Sequence, residues 1–276
     1  MKKRNKKQIE RFKIIEIIAY WEGSINASIL CNFIGVIPRN ATTEIQAYNE
    51  VVPIPLEYNA SKKIFVPPNQ YKPIYISTEW NLYHEHLVRF AHLYQKGLWH
   101  SNSIDVISSD FNHINSEITR TIHECIKNKT SFKAKYHSMN NPRGLTRTFH
   151  PHAIAFNGVR WHMRAYSEEH GEFRDFNLSR ISKPSNIGDS NVDSLNDHDW
   201  HHFITIKLQP HPSLDIYQKK LVLSDYGHIN EFKHELRASM VKYFIKFYSI
   251  SISQNDNPMD KPLSLINKEE LQSYLL

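Results

Sequence analysis

The chain has 276 residues, 40% of them hydrophobic and 22% charged, long enough for two or three domains with buried cores. No apolar run approaches the roughly 18–20 residues of a bilayer-crossing helix, and the start shows no apolar signal-peptide region, so a cytoplasmic location is expected. Two distant cysteines, Cys31 and Cys125, exclude a disulfide scaffold or a zinc ribbon, and the net charge of +6 is met by the surplus in residues 1–13, seven Lys/Arg against Glu10.

That basic arm, with Lys7 and Arg11, suits a polyanion, although a solvated tail has the same composition. Apolar residues then recur at helical spacing from Ile9 through Phe12, Ile15 and Ile18 to Trp21. Gly23 stops this helix, and Ser24 or Asn26 can cap a second one ending near Phe33. Gly35 and Val36 make a tight turn, and a third helix begins near Pro38, a favoured first-turn residue. It points Ala41, Ile45 and Tyr48 inward and leaves Arg39, Asn40, Thr42, Thr43 and Gln46 outward. A hairpin follows, from Leu56–Tyr58 through a turn at Asn59–Lys62 to Lys63–Val66.

Three helices and a two-stranded wing predict a winged helix-turn-helix over residues 1–70. Its third helix can enter the major groove of double-stranded DNA, where Asn and Gln pair with adenine and Arg with guanine. Lys62 and Lys63 at the wing tip, with Lys7 and Arg11, can neutralise phosphates. A helical protein-interaction module would pack in the same way.

Residues 71–130 read as a helical linker, with apolar three-four spacing at Leu82, Leu87, Phe90 and Leu93, a polar break at 100–110, and again at Phe111, Ile114, Ile118, Ile122 and Ile126. The 17 histidines cluster at His84/His86, His150/His152 and His198–His202 without an HExxH motif or cysteine partners, so no metal and no cofactor is expected.

At Phe132 the period becomes two. "FKAKYHS", "TRTFHPHAIAF", "VRWHMRAY" and "GEFRDFNLSRI" read as four antiparallel strands, with a hairpin turn at Asn157–Gly158, and close into a small SH3-like barrel. Between Tyr136 and Ser182 stand six arginines (Arg143, Arg147, Arg160, Arg164, Arg174, Arg180) and no lysine. Choosing arginine over lysine points to planar two-point bonding of phosphate or carboxylate. Alternation sets Arg160, His162, Arg164 and Tyr166 on one face of the third strand and Trp161, Met163 and Ala165 on the other. Glu168, Glu169, Glu172 and Asp175 could pair with some of the arginines, but these four acids are too few for six, which favours an anion-binding face.

The stretch "FHPHAIAFNGVRWHMRAYSEEHGEFRDFNLSRI" resembles the core of a WYL domain, with Trp161-His162-Met163 at the name-giving position. "RWHxRAY…FRDFxLSRI" is most similar to the WYL-domain regulators of the BrxR and CapW type, found beside bacterial anti-phage systems. The resemblance covers nearly the whole chain. It implies an α+β multidomain fold: a winged helix, a helical connection, an Sm-like WYL barrel at 131–183 and a small α/β dimerisation domain at 200–276. It further implies a homodimeric repressor of a phage-defence operon, reading an inverted repeat and sensing a nucleic-acid or nucleotide effector. By family position Tyr136, Ser138, His150, Arg164, Arg174 and Arg180 form the effector pocket, and Ile37 replaces the serine usual near the third helix's N-cap.

Beyond the barrel, "HHFITIKLQP" reads as a strand, "KKLVLSDY" as another, and Ile229–Ile250 as a long helix striped by Ile229, Phe232, Leu236, Met240, Tyr243 and Phe247. In isolation such a stripe is core; the resemblance makes it part of the dimerisation domain. Paired carboxylates, an activated Ser or Cys and a phosphate-cradling glycine loop are absent from the sequence, so no enzyme is expected. A nucleic-acid-processing enzyme using the His/Arg-rich barrel and a nucleic-acid-binding adaptor are the alternative readings.

Overall fold

The computed structural model describes residues 6–89 and 113–275, and the chain divides into two compact units, Met1–Ser108 and Ser109–Leu276. The arm residues Lys2, Lys3 and Arg4, the apolar positions Phe90, Leu93 and Phe111, and the polar break at 100–110 lie outside the described residues. Among the described residues no helix is long and apolar enough to cross a membrane.

The first unit begins with α1 (Lys6–Glu22), α2 (Ala27–Ile34) and α3 (Pro38–Asn49). Asn26 caps α2 by accepting the Ile29 amide at 2.8 Å, and Gly35 ends it in the left-handed region (φ 63°), returning its N–H to the Cys31 carbonyl. Pro38 opens α3 as expected, and Ile37 supplies no side-chain cap. The wing pairs β1 (Glu57–Asn59) with β2 (Ile64–Val66), and Ile25 extends it by exchanging two backbone bonds with Phe65. Phe12, Ile15, Ile18, Leu30, Ile45 and Tyr48 are fully buried between the helices. Burial of such side chains supplies most of the stabilisation, at about 1.5–3 kcal/mol each.

One polar group sits inside this core. The Glu16 carboxylate is fully buried, accepting the Tyr48 hydroxyl (2.9 Å) and the amides of Ile74 (2.8 Å), Tyr75 (2.7 Å) and Ile76 (3.0 Å). Four donors for one carboxylate explain why a charge is tolerated there. They also bind residues 74–76, which follow the wing, onto α1 and α3. Tyr71 joins the same core, and α4 (Trp80–Arg89) buries Tyr83, His86 and Leu87.

The second unit opens with α5 (Ser116–Asn128), capped by Asn115, whose buried Ile118, Ile122 and Cys125 pack on a five-stranded antiparallel sheet. Its strands are β3 (Thr130–Tyr136), β4 (Leu145–Phe156), β5 (Trp161–Ser167), β6 (Glu172–Asn177) and β7 (Ile181–Asp189), in the order β6-β5-β4-β3-β7. Phe132, Phe149, Met163 and Phe176 fill the space beneath α5. The fifth strand lies beyond the four expected. It starts at Ile181 after a short 3-10 turn and pairs with β3 through register shifts.

A second sheet, ordered β10-β8-β9, follows: β8 (Phe203–Pro210), β9 (Phe232–Arg237) and β10 (Leu263–Leu265). Two expectations fail here. The "KKLVLSDY" stretch is not a strand but lies largely in helix α7 (Ile216–Asp225). Asp215 accepts the amides of Tyr217 and Gln218 while Gln218 accepts the Asp215 amide, and this reciprocal cap outweighs the β preference of a short Leu-Val-Leu run. The long helix at Ile229–Ile250 is instead β9, a 3-10 turn at Ala238–Met240 and helix α8 (Val241–Phe247). The edge of β8 needs a partner, and Phe232–Arg237 provides it in the register Leu208↔Phe232 to Phe203↔Arg237. The supposed stripe is broken accordingly: Ile229 is 88% exposed and Phe247 50%. Two short helices, α6 (His198–His201) before β8 and α9 (Gln272–Leu275) after β10, complete the unit.

Candidate functional site

The outward face of α3 matches its sequence pattern. Arg39, Asn40, Thr43 and Gln46 are exposed, Thr42 partly so, while Ala41, Ile45 and Tyr48 are buried. Thr42 and Thr43 donate their hydroxyls to the carbonyls of Pro38 and Arg39, both at 3.1 Å. Their hydrogens are spent on the helix, leaving oxygen lone pairs and methyl groups to face outward. Arg39, Asn40 and Gln46 make no side-chain hydrogen bond among the described residues. They therefore remain available for base edges.

The wing tip is built by Asn59, whose side chain accepts from Ser61 Oγ (2.7 Å) and the Lys62 amide (3.1 Å). Lys63 then sits in the left-handed region (φ 53°), and both lysines are exposed. Lys7 is exposed on α1. Arg11 differs: it is ion-paired with Glu44 of α3, so its charge is offset within the fold and it braces α3 against α1.

The arginine-rich face is less open than alternation along β5 implies. His162, Met163, Arg164 and Ala165 are all buried. Met163 and Ala165 face the core under α5, and the other side is covered by residues that follow the sheet. The His162 ring lies 5.2 Å from that of Tyr243 on α8, and burial pushes its pKa down. Arg164 grips Asp197 with both arms of its fork, Nε–Oδ2 and Nη2–Oδ1 each 2.7 Å. Its Nη1 reaches Asp175 at 3.4 Å, and Asp199 lies 3.9 Å from Nη2. Burial works against the charge on Arg164, but the bonds from Asp197 and Asp175 outweigh it and raise its pKa. Burial alone would likewise raise the pKa of Asp197, yet hydrogen bonds from Arg164 and His152 hold it well below the usual carboxylate range.

The remaining expected pocket residues are dispersed. Arg174 is exposed and pairs with Glu172. Arg164 and Arg174 both line a cavity of about 480 Å³, with Glu172, Asp175, Ser239 and Lys242. His150 is buried between Ser190 Oγ (2.7 Å) and Glu168 (3.0 Å) and lines a separate cavity of about 450 Å³. The Tyr136 hydroxyl accepts the Asn177 amide at 3.3 Å, and Ser138 Oγ accepts the Asn141 amide at 3.0 Å. Arg180 is half-buried, and these last three residues line neither cavity. The residues that sequence reasoning missed, Asp197, Asp199, Ser239, Lys242 and Tyr243, all lie past β7 and meet the sheet only in the folded chain.

A winged helix whose third helix exposes Arg39, Asn40 and Gln46, followed by an arginine-bearing antiparallel sheet and a second α/β layer, defines a modular DNA-binding regulator. Family comparison agrees domain by domain. Residues 7–89 match the BrxR transcriptional regulator winged helix-turn-helix domain, 117–185 the WYL domain, and 203–271 the BrxR transcriptional regulator C-terminal dimerization domain. The chain belongs to the BrxR-type WYL-domain transcriptional regulators. It is 29% identical over 275 residues to "DNA-binding transcriptional repressor CapW" of Escherichia coli (strain KTE188), covering 97% of this chain and 92% of that one. The proteins of the same name from Stenotrophomonas maltophilia and Pseudomonas aeruginosa are 26% and 27% identical, with the same coverage.

Proposed function

We propose that the protein is a homodimeric transcriptional repressor of a phage-defence operon that reads an inverted repeat in duplex DNA and is controlled by an anionic effector, a nucleic acid or nucleotide, at its WYL domain. The observation that carries the DNA reading is the set Arg39, Asn40 and Gln46, exposed on α3 without side-chain partners. Lys7, Lys62 and Lys63 flank it as phosphate contacts, and Arg11 acts through Glu44. The relatives' shared name as repressors supports the direction of regulation, and the matched C-terminal dimerization domain supports the dimer. A dimer sets two recognition helices at a spacing of one or more turns, which is why an inverted repeat is expected. Effector control requires unequal affinity for the DNA-competent and DNA-incompetent states. Arg164 and Arg174, which share a cavity, are the side chains best suited to receive the effector's anion.

Selection of bound sequences from a random duplex pool tests the reading. The full chain enriches an inverted repeat, and Arg39→Ala or Gln46→Ala each weakens binding by about 1–3 kcal/mol and relaxes preference at one position per half-site. Enrichment of no motif, or of single strands alone, removes it.

A further inference from the structure

Arg164 already holds an anion. The Asp197 carboxylate, 2% exposed, accepts both arms of the guanidinium fork at 2.7 Å, His152 Nε2 at 2.8 Å and the Trp200 amide at 3.3 Å. Flat two-point bonding by guanidinium, completed by a ring nitrogen and a backbone N–H, is how proteins receive an oxyanion from solution. Here the oxyanion comes from the chain itself. Asp197 lies in the connection between β7 and β8, where it caps α6.

The surroundings fit an exchangeable occupant. The cavity of about 480 Å³ opens onto Arg164 and continues past Arg174 and Lys242. It lies within the size range of sites for nucleotide-sized ligands. Ser239 Oγ, on the cavity wall, is buried and has no hydrogen-bond partner among the described residues. The other anchor of Arg164 is Asp175, itself on the cavity wall, whose second oxygen accepts the hydroxyl of Tyr243, a further wall residue, at 3.1 Å. Whatever changes the hold on Arg164 is therefore felt both by the connection carrying Asp197 and by α8.

We infer that Asp197 is a built-in substitute for the effector: an incoming phosphate or carboxylate group takes the Arg164 fork, displaces Asp197, and the change passes to the C-terminal domain through the freed connection and through Asp175 and Tyr243. This rests on the proposed anion reading of the WYL domain. Opening the pair without a replacement strands a buried guanidinium and is strongly unfavourable, whereas exchanging one oxyanion for another conserves the charge-assisted bonds. The site thus stays shut until an anion of the right shape arrives.

The test uses the full chain with two probes, inorganic pyrophosphate and a short 5′-phosphorylated oligothymidylate. Probe affinity is measured by calorimetry and release of operator DNA by fluorescence anisotropy. Asp197→Asn keeps the shape and the capping oxygen but removes the competing charge, so it binds a probe about tenfold tighter than the wild type, or binds one that the wild type does not. Tyr243→Phe, compared with the wild type at equal probe occupancy, blunts the release of operator. If the wild type binds a probe and Asp197→Asn binds it no tighter, the inference falls while the anion reading stands. If neither protein binds either probe, both fall. Should Asp197→Asn fail to fold by circular dichroism, Tyr243→Phe decides: full probe-induced release in that variant overturns the coupling.

Discussion

Glu16→Gln is the substitution that most sharply tests how the first unit is held together. It preserves volume and removes only the charge and one acceptor oxygen, so no cavity term enters. In the native unit Oε1 takes the Tyr48 hydroxyl and the Ile74 amide, and Oε2 takes the amides of Tyr75 and Ile76. A glutamine keeps one oxygen and turns an NH₂ toward the other two donors. Two buried donors lose their acceptor at roughly 1–3 kcal/mol each, and partial hydration of residues 74–76 recovers some of that, leaving a loss of about 3 kcal/mol. Because Tyr48 belongs to α3, operator affinity falls as well, by about threefold to tenfold, through looser seating of the recognition helix. Urea unfolding of the full chain reads the stability, and hydrogen exchange at the amides of residues 74–76 reads the site. A destabilisation under 1 kcal/mol, or unchanged protection of those amides, refutes the account of Glu16 as the tie between α1, α3 and the segment after the wing.

Other positions give independent checks. Replacing Lys62 with Ala and Lys63 with Asn, which tolerates the left-handed backbone at that site, removes two phosphate contacts from each wing, lowers the slope of log affinity against log salt by about 4 for the dimer and leaves the selected motif unchanged; titration at several salt concentrations measures it. Gly158→Ala destabilises the second unit by at least about 2 kcal/mol, because φ is +90° and a Cβ would stand 2.3 Å from ring carbons of Phe247. In a double-mutant cycle Phe247→Ala recovers the steric part of that loss and not the backbone part; strict additivity contradicts the contact. His86 is buried on α4, and burial, helped by Arg89, pushes its pKa down to about 4. The unfolded chain protonates this ring near pH 6.5 while the folded chain does not, so stability is full above that pH and declines between about 6.5 and 4, by about 3 kcal/mol at most. The stability difference between wild type and His86→Phe, followed from pH 7 to pH 4, shrinks accordingly; a flat difference excludes His86 as the source.

What was legible in the sequence was what neighbouring residues determine. Asn26, Gly35 and Pro38 each act within one helical turn, so the helix boundaries of the winged domain follow from them, and the alternation of Phe132, Ala134 and Tyr136 follows from a strand with one face buried. The C-terminal domain was misread where local preference and tertiary demand conflict. Asp215 and Gln218 carried a readable capping box that outranks Leu221-Val222-Leu223. For Phe232–Arg237 no local signal distinguishes strand from helix; the deciding fact is the unpaired edge of β8. Arg237 reinforces that choice by lying over the rings of Trp200 and Phe203, at 4.7 and 4.6 Å.

The arginine face shows the same limit in electrostatic form. Counting acids between Tyr136 and Ser182 left the arginines in surplus, but ion pairs are counted in space. Asp197 is 33 residues from Arg164 and Tyr243 is 68 from Asp175. Arg164 contacts two carboxylates at once through three nitrogens, which the single ammonium of lysine cannot do in a plane. The preference for arginine at this position is therefore explained by the closed state alone. It does not remove the case for an effector, because a guanidinium matched to an internal carboxylate is equally matched to an external one. What separates a permanent joint from a switch is access, and the cavity shared with Arg174, Lys242 and the unpartnered Ser239 hydroxyl supplies it on the side facing Asp199.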